Sequence, residues 1–115
     1  MADSDRIVVV GSGFGVWEGG RPGPAVSWRD VRRVVAFRAP VADAPATTAV
    51  HLRLTLADGR TLVMHDRMAG WGSFLQAAPE RLAPMPKAPA WWPAAIHPEL
   101  GEQELVLLDR TDARR

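Results

Sequence analysis

The chain has 115 residues, 47% of them hydrophobic and 23% charged, which is the composition of one globular domain with one core. It has no cysteine, so disulfides, a thiolate nucleophile and cysteine-ligated zinc or iron–sulfur sites are excluded together. Fourteen basic and 13 acidic residues leave a net charge of +1, too little to draw the chain to nucleic acid or a membrane surface.

Arg6–Val10 is a short β-branched run stopped by Gly11-Ser12-Gly13, and it predicts a strand that Phe14–Glu18 pairs with as a hairpin. Gly19-Gly20-Arg21-Pro22-Gly23-Pro24 reads as a loop, because both glycine and proline oppose a helix there. Ala25–Trp28 reads as a third strand. After a turn through Arg29-Asp30-Val31-Arg32, Arg33–Arg38 reads as a fourth, and the stretch from Ala39 to Thr47, with Pro40 and Pro45, as another loop.

The next segment fixes a register. Val50, Leu52, Leu54 and Leu56 alternate with His51, Arg53 and Thr55, the period of a strand with one buried face. A three-residue turn, Ala57-Asp58-Gly59 with Gly59 left-handed, pairs Leu54 with Leu62 and Leu52 with Met64. A two-residue turn would instead put Leu62 and Met64 on the wrong side. The chosen register sets His51 opposite His65 on the outer face.

Beyond Asp66 the period lengthens. Trp71, Phe74, Leu75, Ala78 and Leu82 trace one face of a helix, with Pro79 expected to end or kink it near Ala77 and Pro79-Glu80-Arg81-Leu82 to add another turn. The segment from Ala83 to Pro98 reads as a proline-rich connection carrying Trp91 and Trp92. Gln103–Asp109 reads as a last strand, and residues 112–115 as a frayed tail. The expected class is mainly β with some α: antiparallel sheets in a partly open barrel or roll, one helix near residues 70–82, and a C-terminal strand.

Few residues suggest chemistry. Gly11-Ser12-Gly13-Phe14-Gly15 has the look of a dinucleotide fingerprint, but Gly19 to Pro24 forbid the helix that a pyrophosphate needs. His51 and His65 supply two imidazoles where a stable metal site wants three or four ligands, and His97 is placed in a remote loop. His65, Asp66 and Ser73 have the residue types of a catalytic triad without a nucleophile elbow or oxyanion signal. No catalytic residue, cofactor or metal is therefore assigned. Trp28 and Trp71 fall on apolar faces and read as core. Trp91 and Trp92 either cap an open end of the core, one ring buried and one partly wet, or anchor a partner. Arg29, Arg32, Arg33 and Arg38 mark either a basic patch or a solvated sheet edge.

The segment Val26-Ser27-Trp28-Arg29-Asp30-Val31, with Val34 and Ala36, resembles the strand–turn–strand of bacterial pleckstrin-homology-like domains. The Leu52–Met64 hairpin, Gly70-Trp71 opening a helix, and Trp92-Pro93 beyond it are similar to small bacterial proteins of that type. The resemblance implies two nearly orthogonal antiparallel sheets closed by a helix, a scaffold used mostly for binding. Lipid-headgroup binders of that kind carry basic residues around the first hairpin loop, which Gly11-Ser12-Gly13 lacks.

These readings converge on a cytoplasmic, non-enzymatic adaptor or immunity-type domain that binds a protein or peptide, or its own twin. Trp91, Trp92, Arg32 and Arg38 are the candidate contacts. The polar, acidic start Met1-Ala2-Asp3-Ser4-Asp5 and the lack of a long apolar run fit that expectation, with no membrane or nucleic-acid partner. The rival is a metal-dependent protein or enzyme using His51 and His65.

Overall fold

A computed structural model describes residues 5–41, 44–83, 85–96 and 104–110, with the side chains of 44–46 and 94–96 left aside. Seven strands and two helices follow one another as β1 (Arg6–Val10), β2 (Gly13–Glu18), β3 (Arg21–Ser27), β4 (Val31–Val41), β5 (Ala44–Leu56), β6 (Thr61–His65), α1 (Trp71–Arg81), α2 (Ala88–Ile96) and β7 (Leu105–Asp109). They form two antiparallel sheets, one of order β1-β2-β3 and one of order β6-β5-β4-β7. The mainly β class with antiparallel sheets and a helix over residues 71–81 is as the alternation and period predict.

The β5–β6 hairpin has the predicted register: Leu54 faces Leu62, Leu52 faces Met64, and His51 faces His65. Gly59 closes the turn at φ 89°, a left-handed conformation open to glycine at little cost. Leu52, Leu54, Leu56 and Met64 are buried on one side, joined there by Val34 and Ala36 of β4. The first sheet adds Ile7, Phe14, Val16 and Val26 to the same core, and α1 closes it with Trp71, Phe74 and Ala78. At the centre Phe14, Trp28 and Phe74 pack ring to ring, with centroids 4.9 to 5.6 Å apart. Trp28 and Trp71 are thus core residues.

Four expectations need correction. First, β3 begins at Arg21 and includes Pro22 and Pro24, which read as loop. This strand is the edge of its sheet, where a missing N–H costs no ladder bond on the solvent side. Gly19 and Gly20, both at positive φ (61° and 80°), form the tight turn whose twist suits the hairpin.

Second, β4 and β5 run on through much of the expected Ala39–Thr47 loop, pairing Pro40 with Thr48 and Val41 with Ala44. Among the described residues β7 pairs with β4 only from Arg33 to Ala36, so Pro40 lies beyond that stretch, where it takes no ladder bond from β7. Third, Pro79 does not end α1 near Ala77: the helix runs on to Arg81, within the expected span of residues 70–82 and including the further turn expected after the proline. Pro79 forgoes one bond, to the carbonyl of half-buried Leu75, while Leu82 N–H still reaches Ala78 O at 2.6 Å.

Fourth, the expected connection from Ala83 to Pro98 contains a second helix, α2. Pro89 sits in its first turn, where the amide has no helical partner to lose, and only Pro93 interrupts the ladder. The last strand holds Leu105–Asp109, while Gln103, His97 and the tail 112–115 lie outside the described residues. A bulge opposite Val34 and Val35 lets consecutive Leu107 and Leu108 both face inward and leaves Val106 48% exposed.

Candidate functional site

β6 ends in two adjacent residues that diverge. His65 lies on the outer face of its sheet. Asp66, whose N–H donates to Val50 O at 3.0 Å, extends the ladder by one residue and falls on the core side.

On the outer face, Phe37, His51 and His65 stand side by side across β4, β5 and β6. Phe37 stacks on His51 at 5.2 Å between centroids, and His51 lies 5.3 Å from His65. The guanidinium of Arg53 covers Phe37 at 5.4 Å and is itself held by Glu104 at 2.7 Å. His51 is consequently only 7% exposed, not half of a surface pair. The sequence reading placed Phe37 and His51 on strands but set no register between those two strands, so nothing local brought Phe37 alongside His51.

Both imidazoles already have work for their Nδ1 atoms. His51 Nδ1–H donates to Ala49 O at 3.0 Å, and His65 Nδ1 accepts the Arg67 N–H at 3.3 Å. Among the described residues no group of three possible metal ligands comes together. The triad types do not assemble either, since Asp66 points away from His65 and Ser73 is on the exposed side of α1.

On the core side the sheet ends in an open cleft of about 420 Å³ lined by Asp66, Trp71, Leu75, Ala88, Pro89 and Trp92. Its walls are α1 and α2. Gly70 sets the start of α1 at φ 88°, and Ile7 N–H donates to Ala69 O at 2.7 Å, pinning this corner to β1. A side chain at Gly70 would run into the Ile7 carbonyl, so the corner can be made only by glycine.

The paired tryptophans divide as a core cap does. Trp91 is 4% exposed and belongs to the hydrophobic core, so its ring is not offered to a partner. Trp92 is half-buried; its ring lies 5.9 Å from Trp91 and 6.3 Å from Trp71, the latter pair inclined at 59°. Asp66 sits at the edge of these rings, its Oδ2 accepting the Val50 N–H at a long 3.5 Å.

The arginines do not converge. Arg32 and Arg38 are six residues apart along β4, roughly 20 Å at strand rise. Arg32 donates to Arg29 O at 3.4 Å, Arg33 lies 3.5 Å from Asp109, and Arg38 has interactions of its own. Gly11-Ser12 is a hairpin turn followed by a strand, so no helix N-terminus stands there to meet a phosphate. No helix among the described residues is long and apolar enough to cross a membrane.

No family model and no solved structure matches the chain significantly. Among curated proteins it is similar to the 5-methyltetrahydropteroyltriglutamate–homocysteine methyltransferase of Ralstonia pickettii (strain 12J), 30% identical over 97 residues. The match takes in 76% of this chain, but the chain spans only 12% of the length of that relative.

Proposed function

We propose that this chain is a non-enzymatic protein- or peptide-binding module of the pleckstrin-homology-like kind, an adaptor or immunity-type domain acting in the cytoplasm. Its docking surface is the α1–α2 cleft, and Trp92 is its anchor. One observation carries this reading: a half-buried tryptophan lines an apolar cleft whose floor is already completed by Trp71 and backed by Trp91. Aromatic rings placed so that one side is packed and the other open are favoured at binding hot spots.

The similarity to a domain-sized stretch of a much longer methyltransferase supports a module that larger chains can carry. It supports no transfer chemistry, because so small a share of that protein is covered. The rival metal-dependent reading has less support: His65 Nδ1 is taken by the Arg67 N–H, His51 is buried beneath Phe37, and no third ligand joins them among the described residues.

A photo-crosslinking amino acid at position 92, introduced in the producing cell, tests the proposal. A discrete adduct with one partner is expected from position 92 and none from position 58, on the distant hairpin turn. The purified partner should then bind the Trp92→Ala variant at least about ten-fold more weakly, as for a modest hot spot. Adducts that are absent, or identical from the two positions, would overturn it. An adduct with a second copy of the chain would make the module self-associating.

A further inference from the structure

Asp66 differs from the other carboxylates of the described chain. Asp58 is paired with Arg60 at 2.7 Å, Glu104 with Arg53 at 2.7 Å, and Asp109 with Arg33 at 3.5 Å. Asp5 caps the Gly19 N–H at 2.8 Å, while Glu18, Asp30 and Glu80 are exposed to water. Asp66 alone among them is half-buried at the edge of an apolar aromatic cleft with no cation beside it in the described residues.

A carboxylate partly removed from water carries a desolvation cost that a counter-charge relieves. Trp92, half-buried in the same cleft, offers an indole ring, and tryptophan is the aromatic residue that attracts cations most strongly. A planar guanidinium satisfies both demands at once, stacking on an indole while its N–H fork reaches a carboxylate. A compact ammonium takes less advantage of flat rings. The cleft opens widely to solvent and does not enclose its contents, which suits a side chain delivered from another surface more than a small free cation.

We infer that the α1–α2 cleft is a seat for an arginine side chain of the partner protein, with Trp92 supplying the stacking ring above a floor closed by Trp71 and Asp66 the counter-charge. The inference rests on the docking role given to this cleft and adds the chemistry of the group received.

The test uses the five indole N–H signals of the full chain, with that of Trp92 assigned through Trp92→Phe. N-acetyl-arginine amide, N-acetyl-lysine amide, N-acetyl-norleucine amide and tetramethylammonium are titrated separately. The expected result is a saturable shift of the Trp92 signal with the arginine probe, weaker with lysine and absent with norleucine. Asp66→Asn keeps a side-chain oxygen for the Val50 amide, so the fold should persist, as circular dichroism will check. Arginine binding should fall at least about ten-fold in that variant, the scale of one lost charge-assisted contact.

Equal response to norleucine, tighter binding of tetramethylammonium than of arginine, no saturable shift, or unchanged arginine binding in Asp66→Asn would each overturn the arginine seat. The docking reading has its own separate readout. If the position-92 adduct forms and Trp92→Ala loses the partner while Asp66→Asn keeps it, the cleft docks a partner without an arginine, and only this inference fails.

Discussion

His65 and Asp66 are neighbours in sequence, yet they lead into two opposite environments. On the outer face, His65 meets His51, which stacks on Phe37 beneath Arg53, and the polar atoms there are answered by Ala49, Arg67 and Glu104. On the core side, Asp66 lines an apolar cleft with Trp71 and Trp92 and receives one long hydrogen bond. The residues with the more suggestive chemistry, two histidines, form the more finished structure. A polar group whose partners are already present stabilises a fold, whereas one set among apolar walls without its counter-charge leaves room for a ligand.

The largest expected effect probes what stands behind the cleft. Trp91→Ala should cost about 3–5 kcal/mol in chemical denaturation, as deletions of buried aromatic rings do. Trp92→Ala should cost clearly less, because its ring is only partly buried. Equal losses would make both rings core and remove the distinction between wall and anchor.

Next comes the corner that aims α1. Gly70→Ala forces a side chain into positive φ and against the Ile7 carbonyl, and should destabilise the chain by about 2–3 kcal/mol or more. A thermal melt within a degree of the parent would show that the corner can relax, so the cleft is not fixed by it.

On the outer face, His51→Ala should cost about 1–3 kcal/mol, through lost packing and an orphaned Ala49 carbonyl, and His65→Ala less. Added zinc should leave the melting temperature of the parent where it was. A zinc-dependent rise abolished by His51→Ala would turn this face from packing into a metal site, by the linkage of binding to stability.

The smallest effect lies at the hairpin turn, far from both regions. The Arg60 amide, 3.0 Å from Asp58 Oδ1, holds this carboxyl below its ordinary value of 3.8, with the Arg60 side chain adding to it. A depressed folded-state pKa gives stability that is complete above that ordinary value and fades as pH falls through the lower, folded one. Because Asp58 is fully exposed, Asp58→Asn should flatten the acid limb of a denaturation curve only slightly. A large change would mean that the turn has partners beyond Arg60.

Much of this was legible without coordinates. Alternation over Val50 to Leu56 and the three-residue Ala57-Asp58-Gly59 turn define one register, because a slip of one residue would turn every leucine outward. The spacing of Trp71, Phe74 and Ala78 defines a helix face in the same local way. The prolines misled. Pro22 and Pro24 lie on a free strand edge, Pro40 lies beyond the described pairing of β4 with β7, and Pro79, Pro89 and Pro93 are tolerated in helices, in places that only neighbouring strands and turns reveal. Trp92 was visible as a candidate contact. Asp66 was one scattered carboxylate among several, and nothing local joins it to rings at positions 71 and 92.

By itself the sequence determined the class, the hairpin register and the apolar faces, since each follows from the geometry of a few consecutive residues. Tertiary structure decided that His51 would be covered, that Trp91 would turn inward and Trp92 partly outward, and that Asp66 would stand beside the rings. Those outcomes depend on which surfaces of distant segments meet, and water is excluded or admitted only once they have met.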